Sequence, residues 1–314
     1  MTHPHITLPP PLTHGARIGI LSPSGPVLHT HINAGIKTLQ SWGFEPVVDP
    51  QTFARNPSRG YLAGDDATRL HALQTALDSP DLDAIMFSRG GYGAMRLLPH
   101  LDATGIKTYP KHIIGFSDIT AILMWCYHQA NLMSVHGPVV KSLSKEENNE
   151  PQRTESAHIL RKLLTHERIA FTQHDLKIST PHTTPVSGPV IAGNLSLIQA
   201  LLHTPYLPSL KGCILILEDV TEPDYRLDRL FTSLKLKLQH DLPHAIVLGS
   251  FLACDGVYIK PEQLEDYIHA LALELGVPVA SNYPTSHGPL NHAIPVGLHG
   301  TLDPTTHSLH ISPL

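Results

Sequence analysis

Apolar residues return along this chain in two rhythms that alternate from one end to the other. Short aliphatic runs at Ala16–Leu21, Glu45–Val48, Ala84–Phe87 and His112–Gly115 predict buried strands. Between them, apolar residues recur every three or four positions, which predicts helices over about 30–42, from Asp65 or Asp66 to about Leu77, and over about 118–130. In the second of these, Leu70, Leu73 and Leu77 share one face. A βαβα alternation of this kind specifies a parallel sheet with helices on both faces.

The rhythm breaks over residues 143–187. Ser144–Glu150 is charged and poor in apolar residues, and Ser179–Pro185 is rich in turn formers; between them lie a helical pattern at Ala157–Leu164 and a strand-like one at Ile169–Phe171. This change separates an N-terminal domain over 1–165 from a C-terminal domain over 188–314, with the connection at 166–187. In the second half Asn194 is placed to cap a helix through Leu202, and Cys213–Leu217 is a strand that stops on Glu218-Asp219. Tyr225–Leu238 is an amphipathic helix, Ala245–Gly249 a strand, about 261–275 a helix, and about 299–311 a terminal hairpin.

Length and composition narrow the classes. A chain of 314 residues has room for two cores. With 22 Lys+Arg against 27 Asp+Glu, a net charge of -5, the composition offers no general nucleic-acid or anionic-membrane surface. Cys126, Cys213 and Cys254 stand far apart in apolar runs and read as buried thiols of a reducing compartment. No basic leader precedes an apolar stretch and no segment reaches the length of a membrane span, so the expectation is a cytoplasmic protein. Of the 23 histidines, His3/His5 and His29/His31 have ligand-like spacing, but no HExxH, cysteine partner or carboxylate cluster accompanies them, so no metal is expected.

Ligands of such sheets bind at the carboxyl ends of the strands, so the loops Ser22–Pro26, Arg89–Gly93 and Phe116–Asp118 should converge. Arg89-Gly90-Gly91-Tyr92-Gly93 can bring backbone N–H groups close to a ligand, or can simply be a turn that needs positive φ. Ser117 follows a strand and a glycine and opens a helix, which suits either a nucleophile or an ordinary cap. Glu218 ends an apolar strand and His287 lies in a Pro/Gly-flanked loop; a surface carboxylate and a loop histidine would look the same. In combination, Ser117, Glu218 and His287 supply nucleophile, acid and base in the order Ser…Glu…His, each at or after a strand end. An α/β-hydrolase elbow would need glycine where Ile119 stands.

Several blocks resemble the LD-carboxypeptidases, serine peptidases that include the microcin C self-immunity peptidases. They are Leu21-Ser22-Pro23-Ser24-Gly25, Arg89 to Leu98, Gly115-Phe116-Ser117-Asp118, Gly193-Asn194-Leu195, Leu217-Glu218-Asp219 with Tyr225 and Arg229, and His287 ahead of Ile294-Pro295-Val296-Gly297. Ser286 and Ala192 stand where the family commonly has glycine. The resemblance implies a flavodoxin-like N-terminal domain with the serine and a smaller mixed α/β C-terminal domain with the glutamate and histidine, the site in the groove between them. It further implies a homodimer that needs no cofactor. The hydrolysis would run through an acyl-enzyme on Ser117, with an oxyanion hole from the N–H groups of Gly91 and Asp118. The implied substrate is a murein tetrapeptide that loses its terminal D-alanine during cell-wall recycling. Arg89, Tyr92, Asn194 and Arg226, with Arg229 as a further cation, are the candidates for substrate contact. An immunity-type peptidase acting on an aminoacyl-nucleotide toxin and a non-catalytic ligand-binding protein remain the alternatives.

Overall fold

The computed structural model describes residues 6–143, 151–167, 171–180, 183–239, 241–256 and 258–312. His3, His5 and the charged run Ser144–Glu150 lie outside them, as does most of the strand-like pattern at Ile169–Phe171.

The first half builds one sheet from β1 (Arg17–Leu21), β2 (Glu45–Val48), β3 (Ala84–Phe87), β4 (His112–Gly115) and β5 (Ser134–His136). Between the strands run α1 (His29–Ser41), α2 (Asp66–Asp78), α3 (Thr104–Thr108) and α4 (Thr120–Ala130), and α5 (Pro151–Leu164) follows. The strands lie parallel in the order β2-β1-β3-β4-β5, so the winding reverses between β1 and β3. β3 and β4 are buried at every residue, which is why their sequences are near-continuous apolar runs. Asp65 caps α2 by accepting from the Thr68 N–H at 2.7 Å. Asn131, in the left-handed region at φ 49°, ends α4.

The second half builds an eight-stranded sheet from β6 (Phe171–Gln173), β7 (Lys177–Ser179), β8 (Val186–Asn194), β9 (Ile214–Val220), β10 (Ala245–Leu252), β11 (Val279–Ser281), β13 (His299–Asp303) and β14 (Ser308–Ile311). Its helices are α6 (Leu195–Leu201), α7 (Asp224–Lys237) and α8 (Leu264–Leu273). β8, β9, β10 and β11 run parallel, and antiparallel strands extend both sides of that core.

Three features differ from the sequence expectation. The stretch 166–187 supplies β6 and β7, the two edge strands of the second sheet; β6 begins at Phe171, where the strand-like pattern ends, and β7 is too short and too polar for an apolar pattern to register. β9 does not stop at Leu217 but continues through Glu218 and Asp219 to Val220, because both carboxylates find partners inside the protein. β12 (Ile294–Val296) leaves the second half and joins the first sheet, antiparallel to β5 with Ile294 opposite His136. The crossing ties the two sheets together beside the site. The three cysteines are free and buried, and burial pushes the Cys126 thiol up to about 12. Among the described residues no helix is long and apolar enough to cross a membrane, and no cluster of His, Cys, Asp or Glu is placed to hold a metal ion.

Candidate active site

The turn after β4 is tight because Gly115 has no side chain. A Cβ there would lie 2.5 Å from Ile119 Cγ2, so the glycine two residues before the serine makes the room that a hydrolase elbow obtains two residues after it. Ser117 itself adopts φ 63°, a left-handed conformation that costs a non-glycine residue roughly 1–3 kcal/mol and that gathers at functional sites. The short 3-10 turn Ser117–Ile119 then leads into α4.

The loops after β1, β3 and β4 do converge, held by two buried charged side chains. Asp118 Oδ2 accepts from Ser24 Oγ at 2.6 Å and from the Ala94 N–H at 2.8 Å, joining the Ser117 turn to both other loops. Burial raises the Asp118 pKa, while Ser24, Ala94 and the Arg69 charge oppose that rise. Arg69, fully buried, donates Nη1 to the Pro23 and Gly93 carbonyls and pairs through Nη2 with Asp66. Gly90 packs directly on the serine, since a Cβ there would lie 2.7 Å from Ser117 Cβ. Gly91, at φ 128°, crosses the Gly25 backbone so closely that a Cβ would be 2.9 Å from its nitrogen. Among the described residues neither the Gly91 nor the Asp118 N–H is used in a backbone hydrogen bond.

Glu218 and His287 come from the second half of the chain. Glu218 on β9 is completely buried, and its Oε2 lies 2.7 Å from His287 Nδ1. A carboxylate can only accept, so Nδ1 carries the proton and the Nε2 of a neutral ring keeps its lone pair. Nε2 is buried and has no hydrogen-bond partner among the described residues. Burial lowers the His287 pKa, but the hydrogen bond and charge of Glu218, with the charge of Asp219, outweigh it and leave the pKa raised. Gly249 explains how the histidine loop reaches the glutamate: a Cβ there would meet Thr285 O at 2.4 Å, and Ser250 N donates to that same carbonyl at 3.0 Å. Ser286, in place of the family's glycine, holds the loop by donating to Leu290 O at 2.8 Å and accepting from Gly288 N at 2.9 Å.

Ser117 and His287 line one cleft of about 320 Å³ with Arg89, Gly90, Gly91 and Phe116, and Lys141, Ser142 and Arg153 complete its wall. The Phe116 ring packs on His287 at 4.8 Å and meets His136 edge-on at 6.2 Å. His136 is fully buried, and burial pushes its pKa down to about 4, so it is neutral near pH 7.

Of the candidate substrate contacts, Arg89 lines this cleft, while Tyr92 lies just beyond it on the far side of the glycine loop. Asn194 is buried beside Glu218, donating Nδ2 to Asp219 Oδ1 at 2.8 Å and to Glu218 Oε1 at 3.5 Å, and its Oδ1 caps α6. Arg226 pairs with Glu222 at 3.0 Å and Arg229 lies over the Tyr225 ring; neither lines the cleft. Lys141, Ser142 and Arg153 escaped the sequence reading because they flank an uncharacteristic charged stretch and carry no motif. Asp219 escaped it as well, and burial with the neighbouring Glu218 charge raises its pKa to about 6.

The model of the LD-carboxypeptidase N-terminal domain matches residues 18–137, and that of the LD-carboxypeptidase C-terminal domain matches 187–302. The murein tetrapeptide carboxypeptidase of Pseudomonas aeruginosa is 32% identical over 297 residues, covering 91% of this chain and 93% of that protein. The microcin C7 self-immunity protein MccF of Escherichia coli is 29% identical over 335 residues, covering 96% of each. A solved structure of the microcin C7 self-immunity protein in complex with aspartyl sulfamoyl adenosine matches with a TM-score of 0.86 and 25% identity, over 98% of this chain and 99% of that one. Both halves of the chain are thus matched, in order and nearly end to end, and the protein belongs to the LD-carboxypeptidase family as a serine-type carboxypeptidase.

Proposed function

We propose that this protein releases the terminal D-alanine of murein tetrapeptides, using Ser117 as nucleophile, His287 as general base and Glu218 as its orienting acid. The observation that carries the reading is the 2.7 Å bond from His287 Nδ1 to the buried Glu218. It leaves Nε2 as the proton acceptor in a cleft shared with a serine held at φ 63°. His287 Nε2 takes the Ser117 hydroxyl proton as Oγ bonds to the carbonyl carbon of the residue before D-alanine. The oxyanion that develops is met by the N–H groups of Gly91 and Asp118. Collapse breaks the C–N bond, Nε2 returns the proton to the leaving amine, and D-alanine departs. Water then gives a proton to Nε2 and attacks the ester, which frees Ser117 and the shortened peptide. The departing residue carries a free carboxylate, and the cationic side chains in the cleft wall are Arg89, Lys141 and Arg153. Asn194 and Arg226 have no part in substrate contact in this reading. Asn194 supports Glu218, and Arg226 sits apart in its own ion pair.

A second reading, a peptidase of aminoacyl-nucleotide toxins, is favoured by the structural likeness to the immunity protein. In the cleft itself the aromatic side chain beside Ser117 is Phe116, which packs on His287 at 4.8 Å.

The test is release of D-alanine from a sugar-linked L-Ala-D-Glu-diaminopimelate-D-Ala peptide by the wild type and by Ser117→Ala. The wild type is expected to release it, and the variant to be slower by on the order of a millionfold, the scale of a serine-peptidase nucleophile. A folded wild type that releases none, while cleaving an aminoacyl sulfamoyl adenosine analogue, would move the protein to the second reading.

A further inference from the structure

Beyond the glycine loop lies a second basin of about 390 Å³ that the reaction above does not use. It shares Arg89 and Gly91 with the cleft of Ser117, so the two compartments have a common wall. Its floor is the loop after β1, at Gly25 and Pro26, and one side is the loop after β3. Those are the strands between which the winding of the first sheet reverses, the place where doubly wound sheets receive ligands.

The chemistry of its walls is specific. Tyr61 and Tyr92 are 56% and 53% exposed, yet they are fixed against one another edge to face, with centroids 5.8 Å apart and planes at 68°. Arg55, Arg89 and His31 surround them, and no acidic residue is among the described residues that line the basin. Neither arginine forms an ion pair among the described residues, and Arg89 Nη1 makes one long bond, to Pro26 O at 3.3 Å. Exposed aromatic faces attract the polarised C–H groups of a sugar ring, and unpaired guanidinium groups bind carboxylates. A nucleobase stacked on one of these faces is the competing occupant, which the comparison of sugar-linked and sugar-free peptides below distinguishes.

We propose that this basin holds the amino-terminal, sugar-bearing part of the murein peptide while its carboxyl end lies at Ser117. The hexosamine packs on Tyr61 and Tyr92, and the free carboxylate of the peptide's acidic residue meets Arg55 and Arg89. The assignment rests on the murein reading above and adds a preference for sugar-linked peptides over free ones.

The experiment compares kcat and KM on three substrates, the muramoyl tetrapeptide, the sugar-free tetrapeptide and the diaminopimelyl-D-alanine dipeptide, for the wild type, Tyr61→Ala and Arg55→Ala. Both substituted residues are exposed, so folding is retained and is checked by thermal melting. Tyr61→Ala is expected to lower kcat/KM about 10-fold on the muramoyl peptide, through KM, and to leave the sugar-free tetrapeptide unchanged. Arg55→Ala is expected to cost about 10-fold on both tetrapeptides and nothing on the dipeptide. A Tyr61→Ala effect that is equal on the two tetrapeptides, or absent from both, overturns the proposal. So does a Tyr61→Ala effect confined to inhibition by an aminoacyl sulfamoyl adenosine, assayed alongside the three peptides on the same proteins. Failure of the wild type to cleave any of the three peptides overturns the murein reading itself, whereas turnover with an unmoved Tyr61→Ala ratio overturns the basin alone.

Discussion

The two walls of the cleft are built on different principles. The wall from the first sheet is geometric: Ser117 is held in a left-handed turn, glycines let neighbouring backbone press against it, and Asp118 and Arg69 lock three loops through Ser24, Ala94, Pro23 and Gly93. The wall from the second sheet is electrostatic. Its elements are a buried glutamate, a histidine whose pKa depends on that glutamate, and a second buried carboxylate, Asp219, hydrogen-bonded by Asn194 and backbone N–H groups. The difference teaches where each kind of perturbation should act. A change of shape should disable the first wall, and a change of charge the second.

The largest effect that sharpens this contrast is expected from Glu218→Gln. It keeps the shape and removes the charge, and kcat should fall by about 10⁴-fold, as when the orienting acid of another triad is neutralised. The pH profile should move with it. With its pKa raised above the ordinary 6.5, His287 is protonated and inactive as a base at low pH, so wild-type kcat/KM should fall as pH drops through a value above 6.5. Without the Glu218 charge, burial becomes the dominant influence, and burial lowers a histidine pKa, so the acid limb should shift to lower pH. A limb that stays in place in Glu218→Gln would place the titrating base elsewhere.

On the geometric wall, Gly90→Ala adds a methyl where 2.7 Å is available to Ser117 Cβ. Displacing a nucleophile by a fraction of an ångström to an ångström costs about 10²-fold in kcat, and here the acid limb should not move. Steady-state kinetics across pH separates the two variants, and a shifted limb in Gly90→Ala would erase the distinction between the walls.

How much of this was legible in the sequence follows from the kind of signal each part carries. β1 to β4 and their helices were readable because parallel strands buried on both faces leave apolar runs and because Asp65 and Asn194 are strong caps. The turn that carries Ser117 was legible from the strand-end glycine before it, whereas the 2.7 Å contact of His287 with Glu218 joins residues far apart in sequence and could be suggested only by their order. The edge strand β7 and the returning β12 were not legible, since three-residue strands are fixed by partners distant in sequence. The surroundings of Asn194, Glu218 across the β8–β9 register and Asp219 beside it, emerge only from strand pairing. Arg226 was chosen for its charge alone, and Glu222 one helical turn earlier already satisfies it.

The smallest expected effect concerns Asn194. Asn194→Ala removes a helix cap and the donor to Asp219, so the protein should lose roughly 0.5–2 kcal/mol of stability, seen as a lowered melting temperature. KM for peptide should remain near the wild-type value. A large rise in KM with unchanged stability would return Asn194 to the substrate.

The central claim is that one serine, activated by the histidine of the opposite wall, carries the chemistry. Its most direct test is covalent labelling with a fluorophosphonate, followed by mass mapping of the modified peptide. The account predicts a single adduct on Ser117 in the wild type and none in Ser117→Ala; an adduct on another residue, or equal labelling of the variant, would contradict it.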